Sequence, residues 1–366
     1  MSKLEELIQQ YCPDGVEWKT LNEVVTIKRG ERVTKAQLIS GGQYPVISGG
    51  VKPLGNLDRY NREANTITIA QYGTAGYVDW QNSHFWANDV CYSVFPSKIV
   101  SNRFLYYVLL QNQELLYSLK TNAIPACLPL DKLTSIEIPI PTLPVQEEIV
   151  RVLDNFTELQ TELQTELQKR LQQYNYYRDN LLSFEGRTDV EWKKLGEISK
   201  VCRGVRVVKS QLSNEGYPVY QNCLTPMGYY DKTNCPAGTP FVICGGAAGN
   251  VGYADVDWWA ADDCEYIIGN VGLTNRYIYH CLMAKKDYLL SQVRKASIPR
   301  LSPSVIKDLE IPVPSLAEQQ RIVDILDRFD SLTTDLTAGL PAEIEKRKLQ
   351  YEYYRDKLLT FKRKEA

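Results

Sequence analysis

Histidine, paired cysteine and long apolar runs are scarce or missing in this sequence, and each absence disfavours a class of protein. The 366 residues include 2 histidines, and the 9 cysteines stand singly without a Cys-x-x-Cys pair. A metal site is therefore not expected, and the thiols are predicted to be reduced and buried. No apolar run approaches the roughly 18 residues of a membrane span, and the first residues carry charges where a signal peptide is apolar. A cytoplasmic protein is expected.

The signatures of common catalytic sites are missing as well. There is no Walker loop, no G-x-G-x-x-G after a strand, and no Asn-Pro-Pro-Tyr of amino-methyltransferases. Asp14, Glu17 and Lys19 resemble the P-D…E-x-K pattern of metal-dependent nucleases, but the acids are too close in sequence for the hairpin that such sites need. His84 and His280 lie at unrelated positions, which disfavours a Ser-His-Asp site. We expect a non-enzyme without a cofactor of its own.

An excess of positive charge is also lacking. The net charge of -2 argues against a nucleic-acid partner, because DNA-binding proteins usually present a basic face. The acidic excess is local, however: residues 144–185 hold 4 basic and 8 acidic side chains, whereas residues 186–313 hold 15 and 13. The charge count therefore leaves a nucleic-acid partner open.

The sequence does contain an internal duplication. Val-Glu-Trp-Lys-Thr-Leu at 16–21 recurs as Val-Glu-Trp-Lys-Lys-Leu at 190–195, and Ile-Pro-Ile-Pro at 138–141 recurs as Ile-Pro-Val-Pro at 311–314. The offset is 173 to 174 through this part and 177 at the later Tyr-Tyr-Arg-Asp motifs. Such regular spacing indicates two copies of one unit.

Each copy reads as a head followed by a long helix. In the heads, β-rich runs alternate with Gly- and Pro-rich turns and one apolar helix follows, which is typical of an α+β fold. We place the heads at residues 1–143 and 186–314, and the helical spacers at 144–185 and 315–366. Both heads are reached from a helix end, so the layout is predicted to be nearly circular.

An apolar stripe of period 3.5 to 4 predicts the first long helix. It runs through Ile149, Leu153, Phe156, Leu163, Leu167, Leu171, Tyr174 and Leu181. At 1.5 Å per residue, about 40 helical residues span about 60 Å, too far to be buried in a small head. The second copy has the same stripe, but Gly339 and Pro341 should break it. The simplest burial is an antiparallel coiled coil of the two helices, with pseudo-two-fold symmetry and a head at each end.

Within the first helix, Thr-Glu-Leu-Gln occurs three times in a row at 157–168. One interpretation is a low-complexity solvated helix. The other is a ruler, because four helical residues add about 6 Å, comparable to one or two base pairs of about 3.4 Å.

Basic residues cluster near the start of each head. Such residues neutralise phosphates or bind guanine O6 and N7, although a solvated charged surface is the alternative. The candidate DNA contacts of this kind are Lys28, Arg29, Arg32, Lys35, Arg203, Arg206 and Lys209.

A glycine-rich segment follows in each head, at 71–76 and at 245–250. Glycine lets the backbone approach a base edge closely, so the polar residues beside it are further candidates; a structural turn is equally consistent with the pattern. These candidates are Gln71, Tyr72, Thr74 and Asn250.

Taken together and in this order, the motifs resemble the specificity subunit of Type I restriction-modification systems over essentially the whole chain. The resemblance rests on the head, the Ile-Pro-x-Pro exit, the helix start and the Tyr-Tyr-Arg-Asp near each helix end, all occurring twice. It implies two target-recognition domains that each read half of a bipartite DNA site. Because the heads differ in sequence, an asymmetric site is expected.

The resemblance also implies partners. Two modification subunits would dock on the helices and methylate adenine with S-adenosylmethionine, and restriction subunits would add ATP- and Mg-dependent translocation and cleavage. The Tyr-Tyr-Arg-Asp motifs supply the candidate interface residues, which are Tyr177, Arg178, Tyr354 and Arg355.

Further candidate DNA contacts follow from the resemblance. Residues 295–300 look like a segment found late in family recognition domains, whereas 121–126 is a weaker version. The repeated Asn-Arg pairs complete the set. These candidates are Ser297, Arg300, Asn102, Arg103, Asn275 and Arg276.

A coiled-coil scaffold that binds only proteins is the alternative function. The near-neutral charge favours it. DNA footprinting separates the two hypotheses, since a scaffold protects nothing and a reader protects two patches with a gap.

Overall fold

The computed structural model describes residues 3–334 and 338–365. The chain divides into two compact units. One contains residues 1–162 and 344–366, and the other contains residues 163–343. Each unit therefore consists of one head together with parts of the long helices, and the two are described separately.

The described helices and strands alternate in the same order in both heads. The helices are α1 (Lys3–Tyr11), α2 (Leu21–Val24), α3 (Asn102–Gln111), α4 (Gln113–Ser118), α5 (Leu130–Thr134), α6 (Leu143–Ser183), α7 (Leu195–Ile198), α8 (Asn275–Ala284), α9 (Lys286–Ser291), α10 (Pro303–Lys307), α11 (Leu316–Thr334) and α12 (Leu340–Leu358). The strands are β1 (Glu17–Thr20), β2 (Val25–Arg29), β3 (Tyr44–Ile47), β4 (Asn56–Leu57), β5 (Thr66–Ala70), β6 (Val78–Gln81), β7 (Trp86–Ala87), β8 (Cys91–Pro96), β9 (Glu137–Ile140), β10 (Glu191–Lys194), β11 (Ser199–Arg203), β12 (Tyr217–Tyr220), β13 (Tyr229–Tyr230), β14 (Thr239–Ile243), β15 (Val251–Ala254), β16 (Trp259–Ala260), β17 (Cys264–Gly269) and β18 (Glu310–Val313).

The sheets have the same topology in both heads, which confirms the α+β fold and the duplication. Within the described residues, the first head has a four-stranded antiparallel sheet in the order β2-β8-β5-β6, and the second has β11-β17-β14-β15. A three-stranded sheet, β4-β3-β7 or β13-β12-β16, combines an antiparallel and a parallel pairing. A two-stranded sheet, β1-β9 or β10-β18, joins the start of each head to its end.

The core of each head lies between the four-stranded sheet and one helix. All residues of β5 and of β14 are buried, as expected for a central strand covered on both faces. The apolar residues of α3 pack on the first sheet, with Phe104 and Leu105 fully buried, and Tyr277 and Ile278 of α8 do the same in the second head. The predicted helix after Asn102 and Asn275 is thus confirmed.

The long helices form one antiparallel pair within each unit. In the first unit, Phe156 of α6 stacks on Tyr354 of α12 with ring centroids 5.4 Å apart, while the earlier residue Arg151 lies with the later residue Leu358 around one cavity. In the second unit, Tyr177 of α6 stacks on Phe329 of α11, also at 5.4 Å. The predicted helix break is confirmed as well, because Ala338 and Gly339 form a turn and a bend and α12 begins only at Leu340.

The chain terminus completes the first head as the predicted circular layout requires. The Lys362 carbonyl accepts a hydrogen bond from the Val16 amide at 2.9 Å, and the Lys364 amide donates to the Val16 carbonyl at 2.9 Å. In the second unit, the segment that leads into Val190 continues directly from the end of α6. Among the described residues, no helix is long and apolar enough to cross a membrane.

Candidate DNA-recognition surface

The predicted basic residues lie at one end of the four-stranded sheet in each head. Arg29 ends β2 and Arg203 ends β11, and both side chains are exposed. Arg32 and Arg206 follow in extended loops and are exposed too. Lys28, in β2, and Lys35 and Lys209, each at the start of a short 3-10 turn, are also exposed. The sheet thus presents an exposed basic edge in both heads.

The glycine-rich segments form tight loops beside this edge. Gly73 and Gly76 have φ of +74° and +93°, and Gly246 and Gly249 have +81° and +86°, which glycine adopts without strain. A Cβ on Gly73 would lie 2.4 Å from the Gly49 carbonyl oxygen. Glycine is therefore required both by the turn and by the close approach of a neighbouring loop.

Equivalent backbone contacts hold the two loops. The Thr74 amide donates to the Gly49 carbonyl at 2.7 Å, and at the repeat offset the Ala247 amide donates to the Asn222 carbonyl at 2.8 Å. Of the candidate side chains, Gln71 is buried and Tyr72 and Thr74 are half-buried. Asn250 donates to the Ala247 carbonyl inside its own loop.

The late segment of each head packs directly on its glycine loop. Tyr72 forms an isolated antiparallel β-bridge with Cys127 in the first head, and Gly245 forms one with Arg300 in the second. The Arg300 guanidinium pairs with Asp263 at 2.6 Å, and Ser297 is exposed nearby in sequence. The structure therefore brings together three elements that are far apart in sequence: the basic strand end, the glycine loop and the late segment.

The Asn-Arg pairs do not belong to this surface. Arg103 pairs with Asp154 of α6 at 2.7 Å, and Arg276 pairs with Asp327 and Asp330 of α11 at 2.7 and 2.8 Å. These guanidinium groups also lie on aromatic rings of their own heads, within 5.0 Å of the ring centroids. Since their donors are used within the chain, we remove both arginines from the DNA-contact set.

The asparagines of these pairs are likewise used internally. Asn102 donates to the Asn65 carbonyl at 2.5 Å, and Asn275 donates to the Gly238 carbonyl at 2.9 Å. Both therefore fasten the start of the core helix to a loop of the same head. We assign them, with the arginines, a positioning role instead of a DNA contact.

In the second unit, Asp327 is the centre of the contact between head and helix. It accepts hydrogen bonds from Arg276 and from the fully buried His280, each at 2.7 Å. Burial tends to raise the pKa of Asp327, but these hydrogen bonds outweigh it and the pKa lies below its usual value. The carboxylate is thus held in its charged form.

We expect Asp327→Asn to lower the thermal unfolding midpoint, because Arg276 then loses one of its two charged partners in a half-buried place. Differential scanning calorimetry would measure the change. The matched control is Asp324→Asn on the exposed side of the same helix, where little change is expected. Equal effects of the two substitutions would contradict this role.

The predicted interface residues divide into two groups. Tyr177 and Tyr354 stack on rings of the facing helices, although Tyr177 stays 45% exposed. The guanidinium groups of Arg178 and Arg355 lie over Tyr174 and Tyr351 and are mostly covered. The neighbouring tyrosines, Tyr176 and Tyr353, are 66% and 62% exposed. The most exposed tyrosine of each motif is therefore one that the sequence interpretation left out.

The surface also contains residues that the sequence interpretation missed. Arg294 is exposed and bridges to Arg300, and the Arg62 guanidinium donates to the Arg29 carbonyl at 2.8 Å. Arg294 stands next to Lys295, so extending the late segment by one residue would have included it. Nothing local marks Arg62, because its place depends on strand pairing.

Comparison with known proteins identifies the duplicated unit as a known type of domain. A family model described as the Type I restriction modification DNA specificity domain matches residues 13–173 and, a second time, residues 188–346. The chain belongs to this DNA specificity family. Each match covers one head and much of the long helix that follows it, so the duplication corresponds to two copies of this family's domain.

Relatives of this family match along the chain. A Haemophilus influenzae protein named as a type I restriction enzyme specificity subunit is 33% identical over 399 aligned positions, covering 98% of each chain. The EcoR124I/EcoR124II specificity subunit of Escherichia coli is 36% identical over 264 positions, covering 63% of this chain and 64% of its own.

Solved structures of the family share the fold. The crystal structure of a Type I S subunit from M. genitalium has a TM-score of 0.73 at 21% identity, covering 94% of this chain and 96% of its own. A chain from a structural study of type I complex assembly has a TM-score of 0.53 at 16% identity, covering 94% and 97%.

Proposed function

We propose that the chain recognises a bipartite, asymmetric site on double-stranded DNA and reads one half-site with each head. It directs the adenine-methyltransferase and restriction subunits of a Type I complex to that site in the cytoplasm, and it catalyses no step itself. Residues 1–143 and 186–314 act as target-recognition domains, and 144–185 and 315–366 as helical spacers. S-adenosylmethionine, ATP and Mg²⁺ are bound by the partner subunits.

One observation carries this proposal: the same surface is built twice with different side chains. Arg29 and Arg203 occupy the same strand end, and either arginine can contact phosphate or guanine. The bridge between glycine loop and late segment is Tyr72 with Cys127 in one head and Gly245 with Arg300 in the other. A shared backbone with different contacts is what two different half-sites require.

The partners of the helices are proposed to dock on their exposed aromatic residues. Tyr176 and Tyr353 join the predicted Tyr177 and Tyr354 in this role, because they are the most exposed tyrosines of the two motifs. Exposed aromatic side chains are typical anchors of protein interfaces. Arg178 and Arg355, which are mostly covered, would stabilise the helical turns that carry these tyrosines.

Replacing Arg29, Arg32, Arg203 and Arg206 together with Ala is expected to weaken DNA binding by the assembled complex about 100-fold or more. Each lost phosphate contact flattens the dependence of log affinity on log salt by about 0.9. Fluorescence anisotropy across a salt series measures both quantities.

The control for this test removes four other exposed charges. Lys98 lies at the opposite end of the sheet from Arg29, Lys346 and Lys348 lie in α12, and Lys364 lies beside Val16 at the start of the first head. Their joint replacement should leave the salt slope within about one unit of the unchanged protein. If the arginine variant kept the original affinity and slope, the chain would act as a protein scaffold.

A further inference from the structure

The second head contains a polar cavity that opens at the basic edge. It has a volume of about 370 Å³, and its lining includes Arg203, Arg294, Arg300, Asp263 and Glu265. The lining thus combines the strand end, the late segment and two carboxylates, which makes it a candidate place for a nucleobase edge.

Glu265 is the unusual member of this lining. It is only 4% exposed, and within residues 3–334 and 338–365 its carboxylate makes no hydrogen bond or ion pair. Asp263, by contrast, pairs with Arg300 at 2.6 Å, and neighbouring Asp262 accepts from Gln221 at 3.0 Å. Glu265 is therefore a buried acceptor without a donor, facing a cavity that could receive one.

The electrostatic surroundings of Glu265 also set its carboxylate apart from the other acidic groups of the cavity. Burial raises the pKa of Glu265, and the positive charges of Arg203 and Lys307 only partly oppose this. A carboxylate in such a place costs stability, because it has lost most of its water without gaining a hydrogen bond inside the protein. Groups of this kind are concentrated at functional sites.

In the first head, the position equivalent to Glu265 is occupied by a residue whose polar atom has a partner inside the protein. Glu265 lies across the strand pair from Arg203, and Tyr92 lies across the equivalent pair from Arg29. Tyr92 is 1% exposed, and its hydroxyl donates to the Leu128 carbonyl at 3.4 Å. In that head the position is filled by a ring whose polar atom has a partner inside the protein.

We propose that Glu265 is a specificity-determining residue of the second head, whose carboxylate accepts a hydrogen bond from the exocyclic amine of a base in that head's half-site. Cytosine N4 and adenine N6 are the amines available in the major groove, and acidic side chains read cytosine in this way. Arg203 and Arg300, beside Glu265, hold the DNA at the cavity opening. The inference rests on the proposed DNA recognition and adds the chemical class of one contact.

The test compares Glu265→Gln and Glu265→Ala in the assembled modification complex on a plasmid library with randomised sites. Sequencing of methylated adenine gives the base preference at every position of both half-sites. With Ala, one position of one half-site is expected to lose its preference for an amine-bearing base by roughly 10-fold. The other half-site and the spacer stay unchanged.

The Gln variant distinguishes the two bases. A glutamine amide pairs with adenine through N6 and N7, so a preference for adenine would survive, whereas a preference for cytosine would be lost or would move to adenine. Because Gln removes an unpaired buried charge, the thermal midpoint of this variant should not fall.

Two results would overturn the inference. If Glu265→Ala kept every base preference, or if both variants only lowered the thermal midpoint, Glu265 would be structural. Asp255→Asn is the control, since this carboxylate is exposed and outside the cavity. A wild-type complex that shows no split motif at all would instead refute the proposed function, so the two failures are distinguishable.

Discussion

Deleting one Thr-Glu-Leu-Gln copy is expected to move methylation from the original DNA site to one whose spacer is shorter by one or two base pairs. All three copies lie inside α6, a continuous helix of 41 residues. Their side chains are largely exposed, so one copy can be removed with little loss of packing. The original site should lose its methylation almost completely, because only one half-site at a time can then be bound in register.

Helix geometry gives the size of this change. Four residues contribute about 6 Å and about 400° of rotation, which is one full turn plus about 40°. One base pair contributes about 3.4 Å and about 35°. The rotation therefore matches one base pair and the rise matches nearly two, so the spacer is expected to change by one or two.

The measurement is the methylated motif of the deletion variant in cells. A control that replaces one copy with Ala-Glu-Leu-Gln keeps the helix length and should keep the spacer. Changed bases in either half-site, or an unchanged spacer, would show that the repeat is a solvated helix segment without a ruler function.

Gln319→Leu is expected to lower the free energy of unfolding of the second unit by about 3 kcal/mol or more. The side chain is fully buried at the start of α11. Its amide oxygen accepts from the Thr274 amide at 3.0 Å, and its nitrogen donates to the carbonyls of Gly272 and Pro314 at 2.8 and 3.0 Å. Leucine has a similar size but leaves these three backbone groups without their partner, and the Pro314 carbonyl belongs to a buried residue.

The neighbouring glutamine offers a matched control. Gln320 is exposed and bonds only to Asp324 of its own helix, so Gln320→Leu should change stability by about 0.5 kcal/mol or less. In the first unit, Gln146 makes the equivalent contacts with Ser101, Ile99 and Pro141, and Gln146→Leu should have a similarly large effect. Calorimetric or urea unfolding that gave equal effects for Gln319 and Gln320 would contradict this account.

Local patterns in the sequence predicted much of this fold. The long apolar stripe and the helix break before Pro341 depend on residues close to one another in sequence, the duplication is visible as matching segments at a constant offset, and the structure confirms all three. Helical phase also explains the tyrosines of the interface motif. Tyr174 and Tyr177 are three residues apart and share a face, so Tyr177 reaches the Phe329 ring on the facing helix and is less exposed than Tyr176, at 45% against 66%.

The recognition surface was harder to predict, because strand pairing across long separations creates it. Arg203 lies opposite Glu265, and Gly245 bridges to Arg300, although 62 and 55 residues separate them in sequence. The pairing of Arg103 and Arg276 within the chain was hard to predict for a related reason, since their partners Asp154 and Asp327 lie 51 residues further on. The equal spacing of these two Arg-Asp pairs was the available signal.

The most direct test of the central claim is an adenine-methylation map of the source genome with this gene intact and with it deleted. If the heads read different half-sites, deletion will remove methylation from one asymmetric motif made of two short sequences separated by a fixed gap. An identical map in both strains, with the methyltransferase subunit expressed, would contradict DNA recognition by this chain.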